Sequence, residues 1–139
     1  MAIGEKLWAG KAKTMGMTIK GLTAEGVSLE ATWMAQLMGD GRAKGIDGAM
    51  TYSGMIMMGP NGAGWSHGQG MFNIMSGDMA VVKGSGFGKV EDMKGKSVGL
   101  MSFMTMAPKL AWLNSVVALV TLVGDPMWTE FDVEIWEWK

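Results

Sequence analysis

Apolar and polar residues alternate most regularly between Val27 and Leu37, where the odd positions are apolar and most even positions are polar. A period of two places successive side chains on opposite faces of an extended chain, whereas a helix requires a period near 3.6. The segment is therefore predicted to be a strand with one buried face. Gly39-Asp40-Gly41 is predicted to follow as a tight turn, because Asp-Gly readily supplies the positive φ that a hairpin needs.

Similar segments recur along the chain, separated by short sequences rich in glycine, proline and aspartate. Turns are predicted at Pro60-Asn61-Gly62, Ser76-Gly77-Asp78, Lys94-Gly95-Lys96 and Gly124-Asp125-Pro126. Strands are expected near residues 12–22, 26–38, 44–58, 64–75, 79–90, 96–106, 110–123 and 129–138. Closing such a series on itself removes the exposed edges that promote aggregation. The pattern predicts an all-β fold with little helix, in which residues 1–139 form a single antiparallel meander β-barrel of about eight strands.

Glycine recurs at short intervals between Ser53 and Met106, and in two sets the glycines share one parity. Each set lines up along a single face of an extended chain. The two sets are Gly62, Gly64, Gly68 and Gly70, and Gly84, Gly86 and Gly88. Such rows are typical of strongly bent, closely approaching strands, as in a small closed barrel.

Two segments leave alternatives open. Met106 to Leu113 can form a short helix that begins at Pro108, but the apolar run from Leu110 to Val123 favours a buried strand. Near the end of the chain, Trp136 and Trp138 fall on the opposite parity from the apolar residues before them. Either a bulge intervenes or the two tryptophans pack outside the barrel, where they could anchor a subunit contact.

The composition limits the partners and the compartment. Of 139 residues, 48% are hydrophobic and 18% are charged, which is enough apolar material for a packed core. A net charge of -1 gives no reason to expect nucleic acid or a membrane as partner. Cysteine is absent, which excludes disulfides and thiolate metal sites. No signal peptide and no apolar run of roughly 18 residues is recognised, so a cytoplasmic location is expected.

From Asn61 to Phe103 the chain resembles the central hairpins of allene oxide cyclase and dirigent-like barrels. The matching pieces are Gly68-Gln69-Gly70, Gly77-Asp78, Ala80-Val81, Lys83-Gly84-Ser85-Gly86 and Gly95. Leu110 to Asn114 and Ile135 to Lys139 are similar to segments of an uncharacterised prokaryotic family of such barrels. The resemblance implies an eight-stranded, calycin-like barrel, a homo-oligomer such as a trimer, and an interior that is either filled or holds an apolar ligand.

Allene oxide cyclases isomerise an unstable fatty-acid epoxide inside an apolar barrel cavity, using an early carboxylate. That catalytic segment does not align with Met15 to Lys20, so the resemblance assigns no catalytic residue to this chain.

Seventeen methionines are present, and three Met-x-Met spacings place both thioethers of a pair on one face of a strand. The pairs are Met15 and Met17, Met55 and Met57, and Met104 and Met106. Clustered thioethers can bind copper(I), but methionine also fills irregular apolar space. Packing is the favoured interpretation, with the methionines filling or lining the barrel interior, and no metal and no cofactor is predicted.

Four side chains are the candidate ligand-binding residues: Trp33, Tyr52, His67 and Asn114. Trp33 lies in the alternating strand and is expected to face the core. Tyr52 and Asn114 are polar groups in apolar surroundings, so they either orient a ligand or hydrogen-bond the neighbouring backbone. His67 can act as a general base only with a partner within hydrogen-bond reach, and Glu30, Asp47 and Glu134 are the candidates for that partner.

The leading functional prediction is a barrel that binds a small apolar molecule in an interior lined by methionine and tryptophan. One alternative is an isomerase or cyclase that acts on a hydrophobic substrate in the barrel. Another is a structural, self-associating barrel with a filled core. A cavity with convergent polar side chains favours binding or catalysis, and a filled interior favours the structural role.

Overall fold

A computed structural model describes residues 3–139 as a closed barrel of antiparallel strands. Each strand pairs with its neighbours in sequence, and the first pairs with the last. The strands are β1 (Ile3–Thr23), β2 (Gly26–Gly39), β3 (Gly48–Met58), β4 (Gly64–Ile74), β5 (Met79–Glu91), β6 (Lys94–Met104), β7 (Val117–Gly124) and β8 (Glu130–Trp138). The predicted all-β meander barrel of eight strands is confirmed. No helix among these residues is long and apolar enough to cross a membrane.

Two short 3₁₀ segments lie between strands, and both are at the same end of the barrel. Gly41–Ala43 connects β2 to β3, and Pro108–Ser115 connects β6 to β7. We call this the closed end. At the opposite, open end the connections are short turns and loops, including a two-residue turn at Asp92 and Met93 with φ of 53° and 62°. Two positive φ values in succession are typical of the hairpin turn that matches strand twist.

Large side chains fill the half of the barrel next to the closed end. The indole of Trp8 packs edge-to-face on Phe72 at 5.4 Å between ring centroids, and it lies 5.6 Å from Phe103. Its N–H donates to the carbonyl of Ile46 at 2.8 Å, so the buried polar atom is satisfied. Trp112, from the second 3₁₀ segment, stacks on the same indole at 6.5 Å. This closed half is the hydrophobic core.

The predicted strand over residues 110–123 is wrong in its first half, because Pro108–Ser115 is a 3₁₀ segment and β7 begins at Val117. Proline suits the first turn of a helix since its φ is already fixed. Leu110 and Leu113 are three residues apart, one 3₁₀ turn, and both are buried against the core. The first part of the apolar run therefore covers the closed end of the barrel as a 3₁₀ segment, and the second part forms β7.

Three other predicted boundaries are also displaced. β1 begins at Ile3 and not near residue 12, and β3 begins at Gly48 and not near residue 44. The β5–β6 turn precedes the predicted Lys94-Gly95-Lys96. Gly95 lies within β6, where an added Cβ would approach the Trp128 ring to 2.6 Å. Close packing, and not a turn, requires glycine at that position.

Trp136 and Trp138 lie on the outside of the barrel, which was one of the two alternatives. β8 alternates regularly, with Phe131 and Ile135 buried on the inner side. The ammonium of Lys6 lies over the ring of Trp136, 5.3 Å from its centroid.

The methionines are mostly outside, contrary to the prediction that they fill or line the interior. Among those in residues 3–139, only Met50 and Met101 are buried. Parity explains the difference, because Met34 and Met38 share the outward positions of β2, and Met55 and Met57 those of β3. Methionine enrichment is therefore chiefly a property of the barrel surface.

Candidate functional site

The open half of the barrel contains a cavity because its inward-facing residues are small. Along β4, β5 and β6, inward side chains are large near the closed end and become glycine or serine towards the open end. The changes run from Phe72 to Ser66 on β4, from Val82 to Gly88 on β5, and from Met101 to Ser97 on β6. The glycine rows noted in the sequence therefore hollow out one half of the barrel as well as bending its wall.

The cavity has a volume of about 310 Å³ and opens between the connections of the open end. Its lining is mainly apolar, with Leu29, Ile56 and Leu122 on its walls. Three methionines and two tryptophans also line it: Met17, Met58, Met127, Trp33 and Trp128. The volume lies at the lower limit of the 300–1,000 Å³ that is usual for small-molecule sites.

Four aromatic rings form one continuous wall of the cavity. Trp33 stacks on Tyr52 with 4.8 Å between ring centroids and meets Phe131 edge-on at 5.6 Å. Phe131 in turn contacts Trp128 edge-on at 5.7 Å. Each ring packs against the next, which restricts the movement of this aromatic wall.

Tyr52 reaches across β4 to β5, and glycines make that reach feasible. Its hydroxyl donates a hydrogen bond to the Gly84 carbonyl oxygen at 3.1 Å. A Cβ at Gly68 would lie 2.8 Å from the tyrosine ring and one at Gly84 would lie 3.1 Å from the hydroxyl. Burial raises the pKa of Tyr52 to about 12, so the phenol is neutral at physiological pH.

The β7–β8 loop brings Trp128 over the mouth of the cavity. Trp128 has φ of 56°, a conformation that costs a non-glycine residue energy unless its surroundings fix it. The hydroxyl of Thr14 on β1 donates to the Trp128 carbonyl at 2.6 Å. Inside the loop, the Asp125 carboxylate accepts hydrogen bonds from the backbone N–H groups of Thr129 and Glu130, which lower its pKa. The loop is thus tied both to β1 and to itself.

Few charged groups border the cavity. Among the lining residues in the part of the chain that the structure describes, Tyr52 and Lys89 are the ionisable ones. Lys89 lies at the rim and pairs with Glu91 at 2.7 Å, and this hydrogen bond raises the lysine pKa. Thr14, Ser66 and Ser97 supply the neutral hydroxyls. The site is therefore suited to an apolar molecule that carries one or two hydrogen-bonding groups.

The structure brings together Trp33 and Tyr52 among the four sequence candidates, but it does not bring His67 to them. His67 is on the outer face of β4, exposed, and its ring stacks on that of Trp65 at 5.7 Å. The three carboxylates considered as its partners have other contacts. Glu30 pairs with Lys20, Glu134 pairs with Lys6, and Asp47 accepts from the Gly39 N–H.

Asn114 also lies away from the cavity, at the closed end. Its side-chain oxygen accepts from the Thr105 N–H at 2.8 Å, and its NH₂ group donates to the Thr105 carbonyl at 3.1 Å. These two bonds fasten the second 3₁₀ segment to the end of β6. Asn114 therefore hydrogen-bonds the neighbouring backbone, which was the alternative to orienting a ligand.

Sequence reasoning missed Phe131, Trp128 and Thr14 as cavity residues. Phe131 shares the inward parity of β8 and could have been found from the alternation alone. Trp128 and Thr14 could not be found from the alternation. The position of Trp128 depends on the conformation of a loop, and Thr14 precedes a bulge at Met15 that interrupts the alternation of β1. Residues 3–139 contain no cluster of three or more histidine and carboxylate side chains positioned to hold a metal ion.

No protein-family model matches the chain, and no curated protein matches it. Solved structures do match. A protein of unknown function from Clostridium acetobutylicum ATCC 824 is similar with a TM-score of 0.82 and 12% identity, over 100% of both chains. A β-barrel-like protein from Acinetobacter baumannii AYE has a TM-score of 0.79 and 14% identity, over 99% of this chain and 96% of that one.

An enzyme from Penicillium herquei is similar with a TM-score of 0.63 and 16% identity, over 96% of this chain and 92% of that one. At these identities the similarity concerns the fold alone. The chain therefore shares its architecture with uncharacterised small β-barrel proteins.

Proposed function

We propose that this protein binds a small apolar molecule in the cavity of its open half. The observation that carries the proposal is the cavity of about 310 Å³ beside a wall of aromatic rings that pack on one another. A barrel whose role was purely structural would gain stability by filling this space, since apolar voids cost free energy. Here the sequence instead places glycine and serine at the inward positions.

The aromatic wall would supply most of the affinity. Trp33 and Tyr52 present fixed ring surfaces, so a ligand that packs on them loses little side-chain entropy from the protein. The Tyr52 hydroxyl donates to Gly84, which leaves its oxygen lone pairs to accept from a ligand. The hydroxyls of Ser66 and Ser97 can hydrogen-bond a polar group of the ligand.

The proposal is tested by titration with N-phenyl-1-naphthylamine, a neutral apolar probe whose fluorescence rises on burial. We expect saturable binding with one site per chain. Ser66→Leu places a branched side chain in the cavity and should weaken binding by about tenfold or more, equivalent to about 1.4 kcal/mol.

Ser28→Leu is the matched control, because Ser28 is similarly half-buried but lies on the outer parity of β2. Binding that is absent in the wild type, or that survives Ser66→Leu unchanged, contradicts the proposal. Native mass spectrometry of protein purified from its own source then identifies any apolar molecule that is retained.

A second candidate is an isomerase or cyclase that acts on a hydrophobic substrate in the same cavity. The resemblance to allene oxide cyclases supports it, as does the similarity in fold to the Penicillium herquei enzyme. Against it, the ionisable lining groups in the described chain are a neutral Tyr52 and a rim Lys89, which are a weak set for acid–base catalysis. Binding without conversion is thus the better-supported function, and a bound molecule recovered chemically unchanged distinguishes the two.

A further inference from the structure

The outer surface of the barrel carries ion pairs between strands on one side and a patch of large apolar side chains on the other. On β8, β1 and β2 the outward side chains form the ion pairs Lys6–Glu134, Lys11–Asp132 and Lys20–Glu30. From β3 to β7 a group of adjacent outward positions carries large apolar side chains. We call this surface the outer apolar face, and its members are Met57, Trp65, Phe87, Val98, Leu100, Val117 and Leu119.

The outer apolar face is continuous across the sheet. Trp65, Phe87 and Val98 are direct cross-strand neighbours on β4, β5 and β6. Leu100 follows Val98 on the same face and pairs with Leu119 of β7. Side chains that are opposite each other on neighbouring strands lie close enough to touch.

In the open half of β4 and β5, small residues face the interior and large ones face outward, which reverses the usual arrangement. The residues that flank Phe87 are Gly86 and Gly88, and both of these face the interior. Trp65 likewise lies between the inward Gly64 and Ser66. On β4 and β5 the largest apolar side chains of the open half therefore point outward, next to the hollow interior, which is unexpected for a sheet whose outer face meets only water.

The outer apolar face is large enough for a stable interface. Its exposed fractions, which reach 70% at Phe87, correspond to an apolar area on the order of 600 Å². A standard interface buries about 800 Å² per partner, and rather more than half of that area is apolar. The largest patch on a typical monomer is about 300–600 Å².

We propose that a second copy of this chain covers the outer apolar face in a two-fold symmetric dimer. The face is self-complementary in shape, because it holds both a projection and a depression. Phe87 is the projection. The depression, about 280 Å³ in volume, lies beside it on the same face, and its outward lining residues are Lys83, Ser85, Leu100, Ser102 and Val117.

A two-fold axis near Ser85 and Leu100 exchanges the projection and the depression. Residue 87 of one copy then lies against residue 83 of the other, so each Phe87 enters the depression of its partner. The Lys83 ammonium would lie near the face of the incoming phenyl ring, where a cation is attracted. The two Lys83 side chains stay apart, since four residues along a strand span about 13 Å.

Most charges of β4–β7 lie beside the face and not at its centre. Among residues 3–139, the outward positions of these strands hold one carboxylate, Glu91, which lies with Lys89, Lys94 and Lys96 at the open end and pairs with Lys89, while Lys83 lies nearer the centre. No field of one sign fills the centre of the face. A phospholipid surface is the competing occupant, because exposed aromatic and methionine side chains also insert into lipid.

The dimer is tested by sedimentation velocity of the full chain over a range of concentrations. We expect a monomer–dimer equilibrium in the wild type. Phe87→Lys removes the projection and places a cation against the partner's Lys83, so it should raise the dimer Kd by roughly a hundredfold, as for loss of an interface hot spot.

Met38→Lys is the matched control, because Met38 is also 70% exposed but lies outward on β2. It should leave the dimer Kd unchanged. Both variants should keep the far-ultraviolet circular dichroism spectrum and the probe binding of the wild type, since neither residue lines the cavity.

A charge exchange tests the geometry of the interface. Adding Lys83→Glu to Phe87→Lys places opposite charges at positions 87 and 83 of the two copies, and dimerisation should recover in part. That recovered dimer should dissociate as sodium chloride is added, because salt screens ion pairs that remain exposed to solvent.

Three outcomes overturn the proposal. They are a wild type that is monomeric at every concentration, a dimer that Phe87→Lys leaves intact, and a monomer that instead sediments with phosphatidylcholine and phosphatidylglycerol vesicles. The last would assign the face to lipid. None of these results bears on whether the cavity binds N-phenyl-1-naphthylamine, so the two proposals fail separately.

Discussion

At the scale of single residues, the cavity depends on the pairing of one large side chain with glycines on the neighbouring strands. Tyr52 lies across β4 because Gly68 has no Cβ to obstruct its ring, and it ends on the Gly84 carbonyl oxygen. The aromatic wall needs this anchor, since Tyr52 also supports Trp33 by stacking. A small residue in one strand thus determines the position of an aromatic residue in another.

Tyr52→Phe should lower the free energy of unfolding by about 1–2 kcal/mol, because the Gly84 carbonyl loses its hydrogen-bond donor in a partly buried place. Urea unfolding measures the change. Ser53→Ala is the control on the same strand. It removes an exposed hydrogen bond between the hydroxyls of Ser53 and Thr32, which should cost no more than about 0.5 kcal/mol. Equal losses for the two variants would contradict the anchoring role of Tyr52.

Alternation predicted the inward position of Trp33 correctly, and it would have done the same for Phe131. It could not decide which of the two faces of β4 is the inner one, because both faces hold residues that a core accepts. Glycines lie on one face, and Trp65, His67 and Met71 lie on the other. The direction of His67 depends on the register with β3 and β5, which involves residues far away in sequence.

At the scale of elements, the β7–β8 loop forms the mouth of the cavity, and one carboxylate organises it. Asp125 accepts backbone hydrogen bonds from Met127, Thr129 and Glu130, which hold Trp128 in its positive-φ conformation next to Phe131. The loop is thus ordered by its own backbone, by Thr14 and by the packing of Trp128 on Phe131.

The stabilising effect of Asp125 should depend on pH. The backbone hydrogen bonds from Thr129 and Glu130 lower its pKa in the folded state below the ordinary value of 3.8. The ionised carboxylate therefore stabilises the fold above that ordinary value, and the contribution is lost as the pH falls through the folded-state pKa. Wild type and Asp125→Ala should differ in urea midpoint at about pH 6, and the difference should shrink as the pH is lowered below 3.8. A difference that stays constant as the pH falls would contradict this account.

The strands were predictable as elements, while a short helix from Pro108 was only the less favoured of two alternatives for the second 3₁₀ segment. Each strand has a local signal, the alternation and its turns. Leu110 to Val123 is an apolar run that suits a buried strand and a 3₁₀ segment covering the core equally well, and only the packing at the closed end of the finished barrel decides between them. The cavity was unpredictable for a related reason, since glycine parity shows bending but not whether an opposing side chain fills the space.

At the scale of the whole molecule, two asymmetries coincide. The closed half is a packed core and the open half is hollow, while the outer surface carries ion pairs on β8, β1 and β2 and the outer apolar face on β3 to β7. The strands β4, β5 and β6 carry both features, with small residues inward and large apolar ones outward in the open half. Support from an interior core is weakest where the outer apolar face is largest, so covering that face would stabilise the wall of the cavity.

Hydrogen exchange can measure this coupling. In the monomeric Phe87→Lys variant, amides of β4 near Ser66 should exchange faster than those near Phe72, because local opening is easier where few apolar contacts are buried. In the dimeric wild type the second copy should slow exchange near Ser66, while Met38→Lys should behave as the wild type does. The amides near Ser66 and near Phe72 belong to the same strand, so the comparison isolates the effect of position along the barrel axis. Uniform exchange along β4 in the monomer would mean that the hollow half is as rigid as the core and needs no cover.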